Sequence, residues 1–402
     1  MTDARDIITE VGLLVAEGSH APGEPPAGIR RVPTGVDGLQ TEHLIINMGP
    51  QHPSTHGVLR LIIEVDGEEV VAVESSIGYL HRGIEKLAES RRYNQLGTLM
   101  DRGDYVSGIH GEQAAALATE QLLEVEVPPK ARWIRSLVAE LTRIASHLVW
   151  FGTFGLDTGA MGQFLYAVRD RENILDILEA ISGQRMMFNY VRPGGVLADL
   201  PVGIDEKIRA FAGGFDAYLD EHHALLGGNE IFQHRVKNIG VIDRETALAF
   251  GLTGANLRAA GLGFDIRRER PYDAYPEIEF DVPIGTIGDA WDRYMVRMEE
   301  MRQANRMVKQ LIEGMPEGEH TAKVPKVIRP PAGEVYAAVE SSRGETGVHL
   351  VSDGSDMPYR YHYRAPSLFA VQALEEILPG HLLADVVMII GSTDIVLGEV
   401  DR

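Results

Sequence analysis

Beyond Glu42 the chain opens with short apolar runs: Leu44 to Met48, then Leu59, Leu61, Ile63 and Val65 alternating with other residues up to Asp66-Gly67, then Val71 and Val73. A period of two broken by Asp-Gly predicts a hairpin lying beside another strand. After Gly83 the apolar spacing lengthens to three and four. Ile134, Leu137, Val138, Leu141, Ile144, Ala145 and Leu148 form one stripe with Arg135, Glu140 and Arg143 off it, which predicts a core helix. Helices are also predicted over residues 163–181, 205–226, 287–313 and 367–376, and β-branched alternation returns over 335–351. The pattern as a whole reads as an α+β fold, a central helical bundle flanked by small N-terminal and C-terminal β-sheets.

Residues 1–40 depart from this pattern. They are rich in Gly and Pro, as in Ala21-Pro-Gly-Glu-Pro-Pro-Ala-Gly28, and predict a surface-draped extension. The remainder, 41–402, divides into a β-rich part (41–83), a helical core (84–320) and a C-terminal α+β part (321–402). With 402 residues, 44% of them hydrophobic, the chain can bury a large core. A balance of 38 Lys and Arg against 59 Asp and Glu gives a net charge of −21, which excludes an electrostatic footprint for nucleic acid. The absence of cysteine excludes disulfides, a thiol nucleophile, Fe–S ligation and thiolate-held metals on this chain. The longest apolar stretch, 382–397, is broken by Asp385 and Asp394, so no membrane span is expected. The N-terminus lacks a basic region leading into an apolar one, which predicts a chain on the cytoplasmic side.

The densest chemistry lies in Asn47-Met-Gly-Pro-Gln-His52-Pro-Ser-Thr-His56-Gly57, between the first strand and the hairpin. Two imidazoles on a loop shaped by Gly and Pro read either as functional groups or as hydrogen-bonding loop histidines. The i, i+4 spacing of His52 and His56 is that of a metal pair on a helix, but prolines oppose a helix there and no third ligand is local. Tyr79-Leu-His81-Arg82-Gly83-Ile-Glu85-Lys86 and Asp101-Arg-Gly-Asp104-Tyr105-Val-Ser107 follow. Taken singly, Arg82-Gly83-Ile-Glu85 reads as a turn into a charged first helical turn, Tyr105 as a packed ring or a proton donor, and Asp157 as a residue closing a helix. No glycine-rich dinucleotide fingerprint occurs, so NAD does not bind this chain by that route.

Taken in order, these segments resemble the D-type subunit family of respiratory NADH-quinone oxidoreductase (complex I), a relative of the nickel-iron hydrogenase large subunit. The resemblance runs from the strand before Asn47 to Arg402. It is carried by the two motifs at 47–57 and 79–86 together with Glu140-Leu-Thr-Arg-Ile-Ala-Ser-His147, Arg192-Pro-Gly-Gly-Val196, Gly288-Asp-Ala-Trp-Asp-Arg293 and Glu340-Ser-Ser-Arg-Gly-Glu345. It implies that His56 and Tyr105 hydrogen-bond the two ends of a quinone head group, that Asp157 pairs with His56, and that His52 is a second wall residue. It also implies that Arg82 approaches an Fe–S cluster on an adjacent small subunit. Quinone reduction consumes two electrons and two protons, which gives donors of these types a task.

The same resemblance implies a hetero-oligomer whose members include a small Fe–S subunit of the B type, a C-type subunit and membrane-arm subunits that complete the chamber. It implies a peripheral position at the cytoplasmic face of a cell membrane. Menaquinone or ubiquinone would be the substrate, with NAD and Fe–S clusters on partners and no metal here. The hydrogenase cysteine pairs are missing, so hydrogen chemistry is not expected. A related complex fed by ferredoxin fits the same residues. The chain departs from the family pattern at Arg235-Val-Lys-Asn-Ile-Gly240, at Ser342 where Pro is expected, and at Pro366-Ser-Leu-Phe-Ala-Val-Gln372, which lacks an expected Asn.

Overall fold

Alternation decides the first sheet. In the computed structural model, which describes residues 33–36, 39–53 and 57–402, β1 (Pro33–Val36) and β2 (Leu39–Glu42) form a small ribbon. β3 (Leu44–Met48), β4 (Arg60–Asp66) and β5 (Glu69–Ser76) then form an antiparallel meander. Leu61, Ile63 and Val65 of β4 are buried while their sequence neighbours are not, as period two requires. These residues pack in one apolar cluster with Val371, Leu374, Val386 and Ile389 from near the C-terminus. The β-rich part and the C-terminal part therefore share a core.

The helices follow. α1 (Ile84–Ala88) and α2 (Leu96–Met100) lead into α3 (Gly108–Leu123). α4 (Pro129–Asp157) starts with Pro at its first position, where the missing N–H costs nothing, and ends at Asp157 ahead of Gly159 at φ 82. α5 is Met161–Ser182 and α6 is Ile204–His222, which continues into a π-helical turn over His223–Gly227. α7 (Ala290–Glu313) begins three residues later than its apolar spacing suggests, because the Asp289 carboxylate caps the Asp292 N–H at 2.8 Å.

Every residue of the α4 stripe is buried, each side chain supplying roughly 1.5–3 kcal/mol of transfer free energy if it is a Leu, Ile or Val. Arg135, Glu140 and Arg143, off the stripe, are buried too. Partners explain this. Arg135 is paired with Glu120, and Glu140 is bonded by Arg143, Arg267 and Tyr275, so the polar side of α4 is sealed by ions from other segments.

The C-terminal part is built on β6 (Gly333–Ser341), β7 (Gly344–Ser352) and β8 (Arg360–Arg364), in the order β8-β7-β6. Ser341 pairs with Gly344, leaving Ser342-Arg343 as a two-residue hairpin tip buried inside the molecule. α8 (Pro366–Ile377), α9 (Leu383–Thr393) and α10 (Leu397–Asp401) complete the chain. Among the described residues no helix is long and apolar enough to cross a membrane.

Candidate functional site

Five chain segments meet where α4 ends. Val149, Trp150, Thr153, Leu156 and Asp157 come from its last turns, and Tyr105 and Val106 from the turn before α3. Arg343 comes from the β6–β7 tip, and Asp394, Ile395 and Val396 from the link between α9 and α10. Pro53 and Gly57, on the loop between β3 and β4, close the rim. Together they line a cavity of about 400 Å³, mostly apolar with a few convergent polar groups, the usual make-up of a small-molecule site.

Two glycines allow this convergence. A side chain on Gly391 would meet the Asp157 carboxylate at 2.8 Å and Phe154 at 3.0 Å, so only Gly lets α9 rest on the end of α4. There the Trp150 indole donates to the Gly391 carbonyl at 2.8 Å. A side chain on Gly398 would meet the Tyr105 ring at 2.8 Å, so the backbone of α10 lies directly against that ring.

Below the cavity the polar groups are buried and interlocked. Arg343 donates from Nη1 to Asp104 at 2.7 Å and from Nη2 to Asp394 at 3.0 Å. Ser342 Oγ lies 3.0 Å from both Ser107 Oγ and Ser146 Oγ. Burial, with the nearby Asp394 charge, raises the Asp104 carboxyl above its ordinary range in spite of Arg343. Burial next to Asp104 pushes Glu399 up to about 7. Glu399 accepts from the Ser367 N–H at 2.9 Å and the Tyr363 hydroxyl at 3.2 Å. Burial likewise raises Tyr105, so its phenol holds the proton more firmly than a free tyrosine does. Among the described residues no group of His, Asp and Glu is placed to hold a metal ion.

A family model for the 49 Kd subunit of respiratory-chain NADH dehydrogenase matches residues 157–331 and 322–402. The chain is also 48% identical over 363 residues to the NADH-quinone oxidoreductase D subunit of Desulforamulus reducens, covering 90% of this chain and 99% of the relative. The D subunit of Bacillus mycoides is 46% identical over 364 residues, covering 90% and 100%. The D subunit numbered 2 in Solibacter usitatus is 48% identical over 364 residues, covering 90% and 98%. The chain belongs to this family. The anticipated resemblance is thereby established at the level of the whole subunit, and none of these relatives carries a hydrogenase name.

Family membership leaves the individual residues to geometry. Tyr105 and Asp157, 52 positions apart in sequence, line one cavity. His56 lies outside the described residues. His52 is bridged through its backbone to Gly57 and is not among the lining residues. Arg82 is exposed, and its Nη2 donates to the carbonyls of Arg102 at 2.6 Å and Gly398 at 3.0 Å, tying both flanks of Tyr105 together. Arg343, Asp104 and Asp394 received no role from the sequence. The available signals were that Asp104 and Arg343 stand in the motifs at 101–107 and 340–345, and that Asp394, like Asp385, interrupts an otherwise apolar C-terminal stretch.

Proposed function

We propose that this chain is the quinone-site subunit of a membrane-associated, proton-translocating NADH-quinone oxidoreductase, built on the hydrogenase large-subunit scaffold and seated peripherally on the cytoplasmic side. The observation that carries the reading is the shared cavity: Tyr105 and Asp157 both line it, and its rim is formed by the residues flanking 54–56. An Fe–S cluster does not fit here, because the chain has no cysteine; such a cluster on a B-type partner would supply the electrons. This subunit's own contribution is to bind the head group, exclude water and provide protons.

The chemistry follows from the lining. Each quinone carbonyl gains negative charge as electrons arrive, and in a dry pocket that charge demands a donor within hydrogen-bond reach. Burial raises the pKa of Tyr105, so the phenol holds its proton at neutral pH until the reduced quinone oxygen accepts it. His56 would serve the other carbonyl. Asp157 would orient the imidazole and favour its cationic form, as a carboxylate neighbour does.

The test is Tyr105→Phe in the assembled complex. The ring and its packing against Gly398 are kept while the donor is lost, so turnover with a short-chain quinone should fall on the order of 100-fold, with subunit content unchanged. Wild-type turnover in that variant refutes the proposal.

A further inference from the structure

Arg343 is the one cation among the described residues lining the cavity. Its guanidinium is fully buried and held as if by a jig. Nη1 bonds Asp104 Oδ2 at 2.7 Å, Ser146 Oγ at 3.0 Å and Ser342 Oγ at 3.1 Å, and Nη2 bonds Asp394 Oδ1 at 3.0 Å. Nε is different. It is the only nitrogen of the fork without a hydrogen-bond partner, although it is as buried as the rest. A buried guanidinium N–H left unpaired costs free energy; Nε of Arg297, Arg192 and Arg171 is also buried and unpartnered, but among the described residues Arg343 alone of these lines the cavity.

We propose that Arg343 is a further substrate contact: its Nε–H hydrogen-bonds the quinone head group and stabilises the negative charge that reduction places on the oxygen. This rests on the reading of the cavity as the quinone site and adds to it a fixed cation that donates no proton. The reaction adds two electrons from an iron–sulfur donor on a partner and two protons from acidic side chains. Arg343 contributes neither, because a guanidinium stays protonated. Its effect is electrostatic, and it is preorganised, since Asp104, Asp394 and the two serines fix the fork before substrate arrives. Ser342, the departure from the expected Pro, supplies one of those fixing contacts. The two carboxylates also keep the cavity from carrying a bare positive charge, leaving the cation's influence to be felt most when a negative oxygen appears beside it.

Arg343→Lys in the assembled complex tests this. Lysine keeps the charge and can reach one aspartate, but it has no Nε–H in a rigid fork. With a series of short-chain quinones of graded reduction potential, kcat should fall roughly tenfold or more, with a smaller change in KM and a larger loss for quinones that are harder to reduce. An equal loss across the series, or none, overturns the proposal, because a merely structural arginine would not read the potential of the substrate. Should the variant fail to assemble, the structure of the wild-type complex with bound short-chain quinone decides. A head-group oxygen within about 3.5 Å of Nε supports the assignment. A quinone in the cavity whose oxygens avoid Nε overturns this inference alone, while one bound elsewhere overturns the reading of the cavity itself.

Discussion

Two of the buried ionic clusters among the described residues are finished differently. In the helical core, Arg258 donates from Nε to Glu300 at 2.9 Å and from Nη1 to Glu340 at 2.7 Å and the Phe264 carbonyl at 3.0 Å, and its Nη2 also bonds Glu300. Arg267 bridges Asp265 and Glu140, and Arg143 reaches the Ser341 carbonyl at 2.8 Å. Burial works to raise all the carboxyls here, but the surrounding guanidinium groups outweigh it for Glu140, Asp265 and Glu300 and hold these three below the ordinary range, Asp265 at about 2, while burial and the Asp265 charge leave Glu340 alone raised. At the cavity the balance runs the other way. Asp104 and Glu399 are both raised, and the single guanidinium between Asp104 and Asp394 keeps one donor unspent. A saturated cluster of fixed charge fastens helices together, whereas an unsaturated one with protonatable acids beside a cavity is arranged to meet something.

The contrast can be broken most forcefully at Arg258. Arg258→Met would leave Glu300 and Glu340 buried without their cation, a loss of roughly 3–5 kcal/mol for a buried pair stripped of one partner. The expected result is loss of this subunit from the complex on native gels, or a large drop in its melting temperature. A variant that assembles and melts like wild type would mean that the core cluster is not structural.

A smaller effect, confined to turnover, is expected at the cavity. Asp157→Asn keeps the shape of the wall and should lower quinone reduction about tenfold. His56→Ala should act on the same step, so the double variant should be less impaired than the product of the two single losses. Strict additivity in steady-state rates would show that the two residues act independently, and the proposed pairing would fall.

What the sequence made legible follows from the range of each interaction. The β3–β5 meander was readable because alternation and an Asp-Gly turn are local, and the close of α4 because Asp157 and the residues after it are local signals. The burial of Arg135, Glu140 and Arg143 was not readable. Apart from the local Glu140–Arg143 pair, their partners lie far off in sequence, Glu120 15 positions from Arg135, Arg267 and Tyr275 127 and 135 from Glu140, and the Ser341 carbonyl 198 from Arg143, and nothing in the spacing of α4 announces them. For the same reason Tyr105 and Asp157 could be joined only by resemblance, while Arg343, at a hairpin tip that would ordinarily face solvent, had no local mark of a cavity residue. Gly391 and Gly398 make the convergence possible, and a glycine's tolerance of close approach is visible only once the approaching atoms are known.

The finest distinction between the clusters is a proton, and Glu399 exposes it. Its carboxyl is buried beside Asp104 and titrates at about 7, well above a free glutamate. A folded-state pKa above the unfolded one means that the folded chain holds a proton the unfolded chain has already released. This group's contribution to stability is therefore full below the ordinary carboxylate range, declines as pH rises, and is lost once pH passes about 7. Glu399→Gln fixes the neutral form, and its amide can still accept from the Ser367 N–H and meet the Tyr363 hydroxyl. The variant should melt with wild type near pH ~4 to 5 and a few degrees above it near pH ~8, flattening the pH dependence between the two. A variant whose melting temperature runs parallel to wild type across that range would show that Glu399 does not change protonation there, and the cavity cluster would then be as fixed in charge as the core one.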